Sequence, residues 1–327
     1  MIITKNLTKI YNIKKKTKGL AGAVKGLITN RKTKKLALDN VCFTIKKGEI
    51  VGLIGPNGAG KSTTIKILTG ILYPTSGSVS INGISPQKNR IEVVRKIGVV
   101  FGQRTQLYWD LRLGETFELL KRIYNIESSL YRNNLDEMDA LFDIGSLLDI
   151  PVRQLSLGQR MKGDLVAAFL HSPELMVLDE PTIGLDLQAK RNIRKFIKTI
   201  NAQNKTTIFL TTHDLKDINE LCERLLVMNN GIIVKDGPLD SIVTQLIPYR
   251  VLVMDSDKPV TNITKPYCKI LKTKDMRSWI SFDRNKISAP ELISYLAKKV
   301  KLYDFSVKEP DIEDVVSEIY KGQYNLK

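Results

Sequence analysis

An α/β fold built on a mostly parallel sheet, with a small α+β domain behind it, is what this 327-residue sequence predicts. Three observations carry the prediction. Short apolar runs, "EIVGLIG", "KIGVVF", "ELMVLDE", "TTIFLTT" and "RLLVMN", alternate with longer helical patterns, as strands buried on both faces of a parallel sheet do. Between Gln103 and Gln154 the strand-like runs stop, and a mostly helical subdomain (about 104–165) interrupts the α/β pattern. After Gln245 the pattern changes again, leaving about 80 residues, a size near the lower limit for an independent core. The predicted domains are therefore 1–245 and an accessory 246–327.

Composition narrows the function. The chain carries 51 Lys and Arg against 34 Asp and Glu, a net charge of +17. Residues 1–38 hold eleven of the basic residues and no acid, so the basic character belongs mainly to the N-terminus. Cys42, Cys222 and Cys268 are too few and too scattered for a disulfide framework, and two histidines leave a zinc site without ligands. A reducing, cytosolic setting fits this usage. The start "MIITKNLTKIYN" is too polar for a signal peptide, and no apolar run approaches the roughly 20 residues of a membrane helix. A role at a membrane would need another chain to cross it.

The stretch from Ile13 to Leu36 interrupts two otherwise ordinary segments. "KKKTKGLAGAVKGLITNRKTKK" would set Leu20, Val24, Leu27 and Ile28 on one side of a helix with basic clusters at both ends, suited to anionic lipid or a membrane partner. Gly19, Gly22 and Gly26 each cost about 1 kcal/mol of helix propensity, so a solvated loop is the alternative.

The strand "EIVGLI" then runs into "GPNGAGKST", Gly55, Pro56, Asn57, Gly58, Ala59, Gly60, Lys61, Ser62 and Thr63, and a helix opens at "STTIKILTG". Glycines at this spacing let backbone N–H groups turn inward around phosphate oxygens, Lys61 reaches the β- and γ-phosphates, and the Ser62 hydroxyl suits Mg²⁺. The helix dipole adds its positive end. This is a P-loop, and ATP with Mg²⁺ is the expected ligand.

"KIGVVFG" is followed by Gln103, placed to orient water or Mg²⁺ at the entrance to the helical subdomain. There "GETFELLKRIYNI", "SSLYRNNLDEMDALFDI" and "GSLLDI" read as helices. The loop before them, "QRTQLYWDLRL", offers Tyr108, Trp109 and Leu111 as apolar contact area, either for a partner or for the subdomain's own core. "QLSLGQR" reads as a turn with a small hydroxyl opening an apolar helix, a second anion cradle. "LMVLDEP" supplies Asp179 to hold the metal, directly or through water, and Glu180 to polarise the attacking water. His213 ends the next strand and is placed to donate to the γ-phosphate, whereas His171 in "LHSPE" reads as structural or surface. In the last segment "IPYRVLVMD", "CKILKT" and "WISFD" read as strands, and "APELISYLAKKV" and "EPDIEDVVSEIYKG" as helices.

Together these residues resemble the ATP-binding subunits of ABC transporters over residues 1 to about 245. The family's P-loop, glutamine loop, LSGGQ signature, Walker B strand, D-loop and switch histidine fall in order on Gly55–Thr63, Gln103, Leu155–Gln159, Leu175–Glu180, Gly184–Asp186 and His213. The resemblance implies a P-loop NTPase core of the ABC ATPase type that works as a dimer, identical or mixed. Each ATP is then held between one subunit's P-loop and the other's signature, so Ser156, Gly158 and Gln159 serve the partner's nucleotide and Asp186 links the two sites. Leu157 departs from LSGGQ, a substitution that suits a right-handed backbone and not a left-handed one. Tyr11 in "LTKIYN" matches the aromatic that the family stacks on adenine, or it packs beside its strand.

"TGILYPTSGSV", the insertion, "LSLGQRMK" and "EPDIEDVVSEIY" look most like ATPases serving ABC-2 type permeases, in a group similar to sodium-export ATPases. That group name describes sequence likeness, not substrate. The resemblance implies an ATP hydrolase at the cytoplasmic side of the cell membrane, driving export and docked on its permease near Tyr108, Trp109 and Leu111. The alternative is a soluble ABC ATPase acting on ribosomes or nucleic acid. Such members carry two cassettes on one chain or long coiled coils; neither feature is present, and no nucleic-acid partner is expected.

Overall fold

The computed structural model describes residues 1–14, 32–102, 104–212, 214–246 and 248–308. They fall into two compact units, Met1–Pro238 and Leu239–Lys327. The first unit contains β1 (Ile2–Lys14), β2 (Lys32–Ile45), β3 (Ile50–Ile54), α1 (Lys61–Leu68), β4 (Ser76–Ile81), α2 (Arg90–Val94) and β5 (Ile97–Phe101). Three longer helices follow, α3 (Leu113–Tyr124), α4 (Ser128–Phe142) and α5 (Leu157–Phe169). The unit closes with β6 (Leu175–Asp179), α6 (Leu187–Asn204), β7 (Thr207–Thr211), α7 (Leu215–Leu221), β8 (Arg224–Asn229) and β9 (Ile232–Pro238).

All five apolar runs are strands of one six-stranded sheet, ordered β5-β6-β7-β3-β8-β9 and parallel except for the β8–β9 hairpin. Every side chain of β7 is buried, as are those of Leu175–Leu178 and Val51–Ile54, which is why these segments are continuously apolar and do not alternate. A second, antiparallel sheet, β2-β1-β4, shares its core with the first: Ile2, Leu7, Leu38 and Phe43 bury against Val51, Leu53, Ile65 and Phe209. The rings of Phe43 and Phe209 stack at 5.9 Å.

One expectation is corrected. "GSLLDI" forms only one 3-10 turn, Gly145–Leu147. The chain leaves α4 through Asp143 at φ +52°, and the Asp139 carboxylate takes the Gly145 amide at 2.6 Å, so the next segment starts as a capped turn too short to propagate. The ends of the 13–36 stretch are strand. Lys14 pairs with Lys32 and Ile10 with Leu36, so the ends of that stretch extend an antiparallel hairpin, cross-strand pairing offering these residues what an isolated helix would not. Leu20, Val24, Leu27 and Ile28 lie outside the described residues.

The second unit contains α8 (Leu239–Leu246), β10 (Tyr249–Ser256), β11 (Cys268–Lys274), β12 (Arg277–Asp283), α9 (Ala289–Ala297) and β13 (Leu302–Lys308). Its sheet, β11-β12-β10-β13, is antiparallel throughout and packs Leu252, Met254, Ile280 and Phe282 against Leu292 and Leu296 of α9. α9 starts on a capping box, Ser288 with Glu291, and a proline in its first turn. β13 is a strand the sequence reading lacks, although Leu302 and Val307 pack on the core. "EPDIEDVVSEIYKG" begins at Glu309 and lies outside the described residues.

Candidate active site

The cleft is built where β3 ends. Gly55 follows the strand so closely against β8 that a Cβ there would lie 2.0 Å from the Met228 carbonyl oxygen, which admits only glycine. Gly58 has no neighbour a Cβ would meet, but its φ of +82° turns the loop backbone in a way side chains resist. The Ala59 amide closes a turn on the Pro56 carbonyl at 3.1 Å, and α1 begins at Lys61 with its N-terminus on the cleft.

Lys61 folds back over the loop, donating to the carbonyls of Gly55 at 2.6 Å and Pro56 at 3.1 Å. Burial lowers its pKa, and the nearby carboxylates of Glu180 and Asp179 oppose that shift. Its ammonium is thus held among backbone oxygens and acids, a charge pre-placed for an anion.

A cleft of about 460 Å³ runs along this loop, lined by Tyr11, Asn12, Lys35, Asn57, Lys61, Glu180 and neighbouring P-loop residues. It therefore gathers Tyr11, Lys61 and Glu180, which stand 50 and 119 positions apart in sequence. Lys9 sits over the Tyr11 ring, its Nζ 5.4 Å from the centroid. Asn12, Lys35 and Ala37 on this wall escape sequence reasoning, because only the β1–β2 register, Tyr11 opposite Lys35, brings them there.

Asp179 is the last residue of β6 and accepts a hydrogen bond from the Thr211 hydroxyl at 2.5 Å. That engages one carboxylate oxygen. Glu180 follows with φ +56°, a left-handed conformation uncommon for a residue with a Cβ, held by its amide donating to the Thr211 carbonyl at 2.9 Å. Its backbone also excludes any side chain at Gly102, where a Cβ would lie 2.1 Å from the Glu180 carbonyl oxygen.

The signature residues form the first turn of α5. Ser156 caps the helix, its hydroxyl accepting from the Gln159 amide at 3.2 Å while the Gln159 side chain accepts from the Ser156 amide at 2.8 Å. Leu157 is the first helical residue and is absent from the positive-φ residues, so the departure from LSGGQ is sterically harmless. It packs toward Gly184, where a Cβ would meet its Cδ2 at 3.1 Å. Asp186 caps α6, accepting from the Ala189 amide at 2.8 Å. Ser156, Gly158, Gln159 and Asp186 do not line the cleft that holds Lys61. Gln103 and His213 lie outside the described residues.

The loop before α3 is tied to α5. Asp164 accepts at one oxygen from the Thr105 hydroxyl at 3.0 Å and the Gln106 amide at 2.9 Å, and burial pushes its pKa up to about 6 against those hydrogen bonds. The Arg160 guanidinium lies 5.1 Å from the Trp109 ring centre. Tyr108 and Trp109 remain 45% and 49% exposed. His171 is structural: its Nε2 bonds the Ile97 carbonyl at 3.1 Å, its ring stacks on Tyr124 at 4.4 Å, and burial lowers its pKa to about 4. No helix among the described residues is long and apolar enough to cross a membrane.

Residues 38–183 match the family model described as ABC transporter. The chain is 31% identical over 206 residues to the ABC transporter ATP-binding protein NatA of Bacillus subtilis (strain 168), covering 63% of this chain and 83% of that one. It is 30% identical over 235 residues to the Nod factor export ATP-binding protein I of Ralstonia nicotianae (strain ATCC BAA-1114 / GMI1000), 72% of each chain. It is 33% identical over 230 residues to the cholesterol transporter ABCA5 of Rattus norvegicus, 70% of this chain but only 13% of that protein. Among solved structures it resembles the dimeric post-hydrolysis state of the ATP-binding cassette MJ0796 bound to ADP and Pi, with 28% identity, a TM-score of 0.61, and coverage of 73% of this chain and 99% of that one.

Proposed function

The chain belongs to the ABC transporter family as an ATP-binding, ATP-hydrolysing subunit, and on that premise we propose that it powers an ABC-2 type permease for export, working as a dimer on the cytoplasmic face of the membrane. The observation that carries this reading is the cleft along the P-loop lined by Tyr11, Lys61, Ser62 and Glu180. The export-related name of one relative supports the direction.

In this reading the adenine stacks on Tyr11, and the phosphates lie along the Gly55–Thr63 backbone with Lys61 on the β- and γ-phosphates. Ser62 and Asp179 offer the hard oxygen ligands that Mg²⁺ accepts, with Gln103 as a further candidate; the ion would neutralise charge on the β- and γ-oxygens. Glu180 accepts a hydrogen bond from water and turns its oxygen toward the γ-phosphorus, Gln103 helps orient that water, and His213 donates to the γ-phosphate. Ser156, Gly158 and Gln159 complete the partner's site: the capping box uses the Ser156 oxygen and the Gln159 carbonyl oxygen as acceptors, so a hydroxyl and an amide donor fall outside that pairing. Asp186 lies beside this interface. The permease docks near Tyr108, Trp109 and Leu111, and residues 14–35 supply basic charge for anionic lipid.

The test is Glu180→Gln in the full chain, which keeps the side-chain shape and removes the basic carboxylate. Hydrolysis should fall by about a hundredfold or more while ATP binding persists and ATP-bound dimers accumulate on size exclusion. An unaltered turnover would remove Glu180 from its assigned role.

A further inference from the structure

We propose that Asp217 is a positioning residue for hydrolysis, holding the loop after β6 and the loop after β7 at a fixed separation through the hydroxyls of Thr182 and Thr212. The proposal rests on the assignment of Glu180 given above and adds what keeps that residue in place.

The geometry converges on one carboxylate. Thr182, two residues beyond Glu180, donates to Asp217 Oδ2 at 2.5 Å, and Thr212, directly beyond β7, donates to the same oxygen at 2.9 Å. The other oxygen, Oδ1, accepts from Arg194 Nε at 2.6 Å. Asp217 and Arg194 are 0% and 3% exposed, and both threonines are buried. Arg194 reaches on to Asp214 at 3.4 Å and Glu220 at 3.3 Å, and Lys190 pairs with Asp214 at 2.6 Å. The Asp214 amide in turn donates to the Thr212 hydroxyl oxygen at 2.9 Å. α6 and α7 thus grip both loops at residues on either side of position 213.

Stability alone does not account for this arrangement. A buried ion pair costs about as much in desolvation as it returns, so apolar residues would hold these helices equally well. What a shared carboxylate oxygen adds is geometry: two hydroxyls on one acceptor cannot move apart without leaving a buried donor unmade. Above the clamp lies a cavity of about 270 Å³ lined by Glu180, Thr182, Gly184, Lys190, Thr212 and Asp214, so the two clamped loops form its walls. Glu180 itself has a left-handed backbone that persists only when its surroundings over-determine it, and the Thr211 carbonyl and this clamp supply that constraint from two sides.

The experiment measures steady-state ATP hydrolysis by the full chain with Thr182→Val, Thr212→Val, the double variant, and the matching serine variants, with Glu180→Gln alongside. Valine keeps the threonine shape without the hydroxyl; serine keeps the hydroxyl. Each valine variant should lose about tenfold in kcat with KM for ATP within about twofold, and each serine variant should return close to the wild-type rate. The double valine variant should lose little more than either single one, because both act on one oxygen. Thermal scans confirm that every variant remains folded at the assay temperature. Valine variants that turn over normally, losses that appear in KM, serine variants as poor as valine, or a multiplicative double variant would overturn the clamp while leaving Glu180 in place. Normal turnover in Glu180→Gln would overturn the base assignment, and the clamp with it.

Discussion

Single residues here act through where the fold holds their polar atoms, and Asp164 shows it. Its carboxylate is buried on α5, facing Arg160, and bonded to Thr105 and Gln106, with a pKa raised to about 6 mainly by desolvation. Because the folded pKa lies above the ordinary 3.8 of the unfolded chain, the folded state binds the extra proton between these values. Stability contributed by that proton is therefore complete below about pH 4 and lost as pH rises through about 6. Asp164→Asn should gain on the order of 1–3 kcal/mol over wild type in urea unfolding at pH 7.5, with the gain vanishing near pH 4. An equal difference at both pH values would mean that the carboxylate is not desolvated as described. The placement of Lys61 at the start of a helix after a glycine loop, and of Asp179 and Glu180 at a strand end, was legible in the motif spacing; the burial of Asp164 was not, because a charged residue on a helical pattern reads as solvent-facing until its neighbours are known.

Among the elements, α5 opens on the residues that resemble the signature, and the same residues cap it. Ser156→Ala removes the acceptor for the Gln159 amide and should cost about 1 kcal/mol of stability. If the signature also serves a partner's nucleotide, ATP-dependent dimerisation should weaken beyond what that loss explains; sedimentation with and without ATP checks it. Leu157 illustrates what an element decides that a motif does not, since its departure from glycine becomes harmless once the position is the first helical residue with ordinary φ. Tertiary pairing also acts at the ends of the basic stretch after Tyr11, which zip into the β1–β2 hairpin. Intrinsic preference settles little where a neighbouring strand offers backbone partners.

At the scale of the whole molecule, the consequence is a chain whose work must pass to another. Tyr108 and Trp109 are nearly half exposed while their loop is anchored beneath by Asp164 and Arg160. Affinity purification from detergent-solubilised membranes should recover a polytopic membrane protein with the full chain and lose it with Tyr108→Ala/Trp109→Ala. Recovery of ribosomes or nucleic acid instead would keep the ATPase and reassign its machine. By itself the sequence determined the parallel sheet, the phosphate loop and the acid pair at a strand end, since continuous burial and phosphate chemistry each demand residue types at short, fixed spacings. Only the tertiary structure decided that Tyr11, Lys35 and Glu180 line one cleft, and that Thr182, Thr212 and Arg194 meet at a single carboxylate. Those meetings depend on strand order and hairpin register: Arg194 and Thr182 stand 23 and 35 positions from Asp217, and Tyr11 stands 169 from Glu180, so no local pattern records them.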